Sequence, residues 1–227
     1  MNKIIGFFHI GVLGRWFEIY QSQLRYLKQS GLYDKTEKIY IGIAGQDVRH
    51  MLSLDPKMEI ICIENRLNYG ETTTIRELYK YCVRTNEKIK LWYIHTKGAK
   101  YTMECNPDKI ELIDSWRNYL EYFVIGNHEK CAKPLDEYDA CGTEYCENNY
   151  FSGNFWWATS DYIRRINLKG LWLNGSTLGM WKSYRHLAER SFVGTGNPKI
   201  FNFITVHKRG IDAYYNKVSP DQYKKLF

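Results

Sequence analysis

The feature that most constrains this chain is the alternation of short apolar runs with amphipathic stretches in its first hundred residues. Lys3–His9, Lys38–Ala44, Met58–Glu64 and Lys90–His95 are runs of strand length, rich in Ile, Phe and Tyr. They are apolar almost throughout, as strands covered on both faces are. Between the first two, Trp16–Gln29 carries apolar residues at 16, 17, 19, 20, 24 and 27, the spacing of a helical stripe, and Ser30-Gly31 follows as a stop. Thr72–Val83 has the same character, with Thr72, Thr73 and Thr74 as cap candidates. Strands separated by helices require crossover connections, so the expected class is α/β with a mostly parallel central sheet flanked by helices.

The pattern loosens after about residue 100. Lys109–Ile125 reads as a helix, with apolar residues at 110, 112, 113, 116, 119, 120 and 123. Tyr138–Cys141, Phe151–Ala158 (interrupted by Gly153) and Ile200–His207 read as strands. Ser160-Asp161 is expected to cap a short helix over Tyr162–Ile166, and Ser183–Phe192 to form another. No repeat or linker divides the chain, so a single domain over 1–227 is expected.

Composition narrows the function classes only in part. No apolar run of about 18 residues occurs, so no membrane-spanning helix is expected. The N-terminal apolar run is too brief for a signal peptide. Aromatic residues make up 16% of the chain and the net charge is +7. That combination suits nucleic acid, a sugar-binding cleft, or a bulky core under a basic surface. Six cysteines stand at 62, 82, 105, 131, 141 and 146 without a C-x-x-C pair, which speaks against a zinc site. Cys62 and Cys82, within apolar patterns, are expected to be buried thiols, the usage of a cytoplasmic protein.

In an open parallel sheet, ligands bind beyond the carboxyl ends of the strands. Those ends fall at His9-Ile10-Gly11, Gly45-Gln46, Glu64-Asn65 and His95-Thr96-Lys97-Gly98. The last is the sharpest. A His, a hydroxyl and a Lys at a glycine turn suit an anion, with phosphate the first choice, although a solvated basic loop would read the same. The G-x-x-x-x-G-K-[ST] and G-x-G-x-x-G loops, the G-x-S-x-G elbow and H-E-x-x-H are all missing. The second sharp segment is Phe151-Ser152-Gly153-Asn154-Phe155-Trp156-Trp157-Ala158. Adjacent Trp residues on a strand point to opposite faces, so one of Trp156 and Trp157 can fill the core while the other lines a cleft. Gly153 would let a ligand or another backbone come close. Glu189 and Asp161 are the nearby acids that could act as a general base. His207, followed by Lys208, could touch a metal or a diphosphate.

Taken together, the Glu64-Asn65 strand end, Tyr69-Gly70-Glu71-Thr72-Thr73-Thr74, Tyr93-Ile94-His95-Thr96-Lys97-Gly98, the SGNFWWA segment and the late Glu189 resemble a known family. It is that of the small GT-A-fold glycosyltransferases of giant viruses and bacterial surface-polysaccharide loci, among them the chlorovirus rhamnosyltransferase domain. The resemblance runs from about Gly6 to His207. It implies a Rossmann-like nucleotide-binding half over about 1–100 and an irregular acceptor half over about 101–227. It implies a nucleotide-sugar donor, UDP-linked by preference, and a glycan or lipid-linked glycan acceptor. His9, Ile10, Gly11, Glu64 and Asn65 would contact base and ribose, with Tyr69 and Thr73 closing over them. His95, Thr96, Lys97 and Gly98 would stand where such enzymes place an Asp-x-Asp metal motif. Here a Lys replaces the carboxylates, so the resemblance leaves the cofactor open between none and Mn or Mg carried with the donor. Ser152, Gly153, Asn154, Trp156 and Trp157 would line the sugar and acceptor pocket. His207 and Lys208 would meet the diphosphate or a metal, since His207 and Gly210 match part of the His-x-x-Gly-x-x-Lys close of glycogenin-like enzymes. Glu189, then Asp161, would be the base of an inverting mechanism. The setting implied is the cytoplasm, a viral host's included, with a peripheral membrane contact left open.

Two other classes remain. A nucleic-acid binder fits the charge and the aromatics, but the cations are dispersed and no recognition motif stands out, so no nucleic-acid partner is expected. A non-catalytic carbohydrate- or nucleotide-sugar-binding domain fits the loss of Asp-x-Asp. A glycosidase would need two acids held about 5–9 Å apart, and no acid pair stands out.

Overall fold

A computed structural model describes residues 3–102, 104, 106–146, 148–167, 192–203, 213 and 215–225. Four strands, β1 (Lys3–Gly11), β2 (Lys38–Ala44), β3 (Met58–Glu64) and β4 (Ile89–His95), stand where the apolar runs predict them. They are joined through α1 (Trp16–Gln29), α2 (Leu32–Lys35) and α3 (Thr72–Arg84). All four are mutually parallel where they pair, and β1 lies between β2 and β4. The chain thus builds β2 and β3 on one side of β1 and then crosses back to lay β4 on its other side.

The remaining strands are β5 (Ala140–Gly142), β6 (Tyr145–Cys146), β7 (Tyr150–Phe151), β8 (Trp156–Thr159) and β9 (Ile200–Asn202). The main sheet has the order β3-β2-β1-β4-β8-β5-β9, and β6 and β7 form a separate pair. β8 runs antiparallel to both β4 and β5, and β9 parallel to β5. The fold is therefore mixed α/β, with a mostly parallel seven-stranded sheet flanked by helices.

The period-2 geometry of the strands sorts side chains onto two cores. Phe8, Ile10, Ile41, Ile43, Trp92 and Ile94 pack under α1 and under α4 (Pro107–Glu121). A short α5 (His128–Ala132) follows α4, and Ile5, Phe7, Leu91 and Tyr93 pack on the opposite face under α3 and α6 (Ser160–Arg165). Gly42 is required by one of these contacts. A Cβ there would stand 1.9 Å from the Thr74 hydroxyl, which α3 presses against the sheet.

The second half departs from its sequence reading in local ways. The helix expected over 109–125 begins at Pro107, capped by the Asn106 side chain, and its last turn, Tyr122–Gly126, widens to a π turn. The 151–158 segment is two strands, not one, because Gly153 (φ +86°) and Asn154 (φ +57°) turn the chain between β7 and β8. The strand expected over 138–141 is Ala140–Gly142. The cap of α6 is Thr159, whose hydroxyl accepts the Tyr162 N–H, and not Ser160-Asp161. Residues 183–191 and 204–212 lie outside the described residues, so the late helix and the end of the last strand do too. A short α7 (Pro220–Lys224) packs Tyr223 against Tyr119 and Tyr122 of the α4 segment. Among the described residues, Cys62, Cys82, Cys131, Cys141 and Cys146 are free thiols, with Cys82 fully buried and Cys62 half-buried. No helix among them is long and apolar enough to cross a membrane.

Candidate functional site

The carboxyl ends of β1, β2 and β4 open into a cavity of about 320 Å³. Its position follows from topology, because the strand order reverses at β1, with β2 and β3 laid on one side of it and β4 on the other. Its size is that of a small-ligand site. His9, Gly11 and Ala44 come from the strand ends, and Gly70 and Glu71 from the start of α3. The turn after β4 supplies His95 through Tyr101, and α4 supplies Ile113 and Trp116. Leu13 and Leu67 add apolar surface to the lining. Lys97 and Lys100 add cations to it.

The turn after β4 is tied down by backbone and hydroxyl contacts. The Thr96 N–H donates to the His9 carbonyl at 3.1 Å, and the Gly11 N–H donates to Thr96 Oγ1 at 3.0 Å. The α4 side grips the same turn by its carbonyls. Arg117 Nη1 donates to Lys97 O at 3.1 Å, and Gln23 Nε2 donates to His95 O at 3.0 Å. Behind these lie Asp114, 2.7 Å from Arg117, and Glu121, which accepts from Gln23 at 2.8 Å. Glu121 is fully enclosed, and burial pushes its carboxyl up to about 7, against the pull of Arg117 and Gln23. Lys97 Nζ lies over the Trp116 ring at 3.6 Å from its centre, a cation–π contact at the pocket wall.

On the α3 side of the sheet the pocket floor is a buried polar cluster. Glu71, only 4% exposed, occupies the N-cap position of α3, where the helix dipole favours a carboxylate. Tyr93 donates its hydroxyl to Glu71 Oε2 at 3.1 Å, and Asn154 Nδ2 donates to the same oxygen. Trp156 Nε1 donates to Asn154 Oδ1 at 2.8 Å. His95 Nδ1 is 3.5 Å from Glu71 Oε1, and His95 Nε2 is 2.9 Å from the Gly153 carbonyl. His9, the cross-strand partner of His95, pairs through Nδ1 with Thr74 Oγ1 at 2.8 Å.

The structure brings His9, Gly11, His95, Thr96, Lys97 and Gly98 together around the cavity. It does not bring the other expected base and ribose contacts there. Ile10 is buried in the core under α1, because it alternates with His9. Glu64 is held in an ion pair with Arg66, which drops its carboxyl to about 2, and Asn65 is exposed beside it. The Arg66 guanidinium lies over the Tyr69 ring at 4.2 Å, outside the cavity lining. Thr73 turns its hydroxyl to the Gly70 carbonyl at 3.3 Å. Of the SGNFWWA segment, Asn154 and the Gly153 carbonyl reach the floor cluster, whereas Ser152 only donates its N–H to Glu144 O. Trp156 and Trp157 do face opposite sides, but each is 0% exposed, so neither lines a cleft. Trp156 stacks on Tyr93, and Trp157 donates to Val124 O across the α4 core. Gly153 admits side chains, not a ligand, since a Cβ there would lie 2.4 Å from Leu120 and 3.3 Å from Lys97.

Asp161 sits at the other end of the sheet. It follows β8, whose last residue, Thr159, pairs with Lys90 near the start of β4, and it is ion-paired with Arg164. Glu189, His207 and Lys208 lie outside the described residues. Glu71 and Trp116 are the site residues that sequence reasoning passes over. Glu71 reads as part of a helix start and Trp116 as one more member of an apolar stripe. An acid following Gly70 at the head of a helix that starts from the sheet's carboxyl edge was the available signal.

The chain matches, over residues 12–169, a family described as a domain of unknown function, DUF8361. It belongs to the DUF8361 family. No curated protein matches this DUF8361 member. Among solved structures, one similar chain is a Desulfovibrio desulfuricans G20 protein proposed to be a nucleotide-diphospho-sugar transferase. It shows 10% identity, a TM-score of 0.41, and coverage of 90% of this chain and 80% of that one. Another is Rv0371c of Mycobacterium tuberculosis H37Rv. Its manganese complex shows 11% identity, a TM-score of 0.43, and coverage of 99% of this chain and 98% of that one. A further Rv0371c structure has the same identity and score, covering 99% and 97%.

The donor set at the end of β4 does not suit a divalent cation. Among the described residues no group of three His, Cys, Asp or Glu side chains converges to hold one. A Lys ammonium is a donor only and cannot ligate a metal.

Proposed function

We propose that this DUF8361 protein is a glycosyltransferase of the GT-A type, and that the cavity at the ends of β1, β2 and β4 takes the nucleoside diphosphate of a sugar donor, UDP first. One observation carries the reading: the glycine-turned, cationic end of β4 opens into a pocket that also has apolar lining. The apolar residues of that lining, Ala44, Leu13 and Leu67, suit a nucleobase. The backbone and cations of 95–98, with Lys100, suit a diphosphate.

Transfer to a glycan or lipid-linked glycan hydroxyl would form a bond from the acceptor oxygen to the anomeric carbon. The bond from that carbon to the diphosphate oxygen would break, and the acceptor proton would pass to a carboxylate. Glu189 is the residue assigned to that last role. The positive groups at 97 and 100 would stabilise charge growing on the leaving diphosphate.

The test is a melting and calorimetric titration with UDP, UDP-sugars and other nucleoside diphosphates, with and without Mn²⁺ or Mg²⁺. A rise in melting temperature with at least one nucleoside diphosphate is expected. If none raises it, the donor-site reading fails. Donor binding without hydrolysis or transfer would instead assign a non-catalytic nucleotide-sugar-binding domain.

A further inference from the structure

The floor of the pocket holds a histidine whose two ring nitrogens both face acceptors. A carbonyl oxygen can only accept, so the 2.9 Å contact from His95 Nε2 to Gly153 O places a proton on Nε2. In a neutral ring, Nδ1 would then present a lone pair. That atom instead faces Glu71 Oε1 at 3.5 Å, and a lone pair turned toward a buried carboxylate is repelled. The other Glu71 oxygen already receives the Tyr93 hydroxyl and the Asn154 amide, both neutral donors. A carboxylate enclosed to this degree is stabilised by a cation, and a protonated His95 supplies one. Phe155 stacks on the imidazole with ring centres 5.0 Å apart.

We infer that Glu71 is a positioning residue that holds His95 as an imidazolium, so that the buried carboxylate at the floor of the pocket is neutralised beneath its ligand. The ion pair belongs to the fold, since the three partners of Glu71 come from β4 and from the β7–β8 turn. A floor without net negative charge admits an anion, and with Lys97 on the wall the ligand class narrows to a phosphate or diphosphate ester. The ligand part of this inference rests on the donor-site reading above, while the charge state of His95 does not.

Among the described residues, the groups facing His95 come from four elements. From α3 comes Glu71, which favours the charged ring. From β1 comes His9, its cross-strand neighbour, which pairs with the Thr74 hydroxyl, so a second charge there is disfavoured. On β4 itself lies the Tyr93 hydroxyl, and past the strand end lies Lys97, which opposes the charge. The β7–β8 turn adds only the neutral Gly153 carbonyl and Phe155. Gln23 and, behind it, Glu121 touch the His95 backbone carbonyl from the α1 and α4 side and do not meet the ring.

Two-bond proton–nitrogen NMR of the full chain with labelled histidine tests this directly, with His95→Gln used to assign the signal. In the ligand-free protein at about pH 7, both His95 nitrogens should be protonated while His9 is neutral. In Glu71→Gln, His95 should become the neutral Nε2–H tautomer at the same pH. A neutral His95 in the natural protein at that pH overturns the inference, and so does a ring that stays charged in Glu71→Gln. If Glu71→Gln does not fold, the natural protein decides alone: His95 must give up its proton at a higher pH than His9 does, and the reverse order overturns the inference. UDP titration forms the separate arm. Affinity should fall by about tenfold once His95 is neutral, roughly the effect of one charge-assisted contact. A charged His95 with no UDP binding at any pH would support the inference and remove the donor reading.

Discussion

The two faces of the sheet meet the end of β4 in different ways. On the α3 face, side chains converge on the pocket: His9, His95, Glu71 and Asn154 point their polar atoms at one another and at the floor. On the α4 face, Gln23 and Arg117 reach no ligand space and hold main-chain carbonyls of the turn instead. One face presents chemical groups, and the other sets where the turn that carries Lys97 will stand. The difference follows from strand alternation. Side chains of His9 and His95 share a face, so only backbone of that turn is left for the opposite helix to grip.

Three substitutions separate the roles, and the largest effect is expected on the α4 face. Arg117→Ala leaves Glu121 without its cation, leaves the half-buried Asp114 with Arg15 alone, and frees the Lys97 carbonyl. Unfolding by denaturant should show a loss of about 3–5 kcal/mol, the cost of breaking a buried charged network. A loss near that of an exposed pair would mean that the α4 face does not set the turn.

Next comes Glu121. Its folded carboxyl is raised to about 7 from an ordinary value of 4.5, so the folded state favours the proton. The stability that this preference adds is fully present below about pH 4.5 and is lost as pH rises through about 7, by on the order of 3 kcal/mol. Glu121→Gln should remove that part of the pH dependence. Denaturation curves of the two proteins from about pH 4 to 8 would check it, and parallel curves would mean that Glu121 ionises freely in the fold.

The smallest effect on the fold, and the sharpest on the ligand, should come from Lys97→Ala. Nucleoside diphosphate affinity should fall about tenfold or more, about 1.4 kcal/mol, with little change in denaturation midpoint. Unchanged affinity would make Lys97 a wall residue whose business is the Trp116 ring.

Much of the first half was legible in the sequence. The four parallel strands appear at their expected places because strands buried on both faces are continuous apolar runs, a local signal. The cationic turn at 95–98 was legible for the same reason: it begins where a run stops. Trp156 and Trp157 show where such reading ends. Alternation tells that they face opposite ways, and it cannot tell that α6 and α4 cover both faces. The position of Asp161 turns on strand direction. Nothing near residue 156 says that β8 runs antiparallel to β4, and that direction carries Ser160 and Asp161 to the far end of the sheet.

By itself the sequence determined an α/β chain, the strands of its parallel half, and the polar groups that end them. All of these are matters of periodicity within about ten residues. Only the tertiary structure decided what Glu71 is. Its donors lie 22 and 83 residues away, at Tyr93 and Asn154, and they meet because the chain crosses back beside β1 and then adds β8 antiparallel to β4. A carboxylate that reads as one more polar residue at a helix start becomes the buried partner of His95 through that crossing, and no local pattern encodes it.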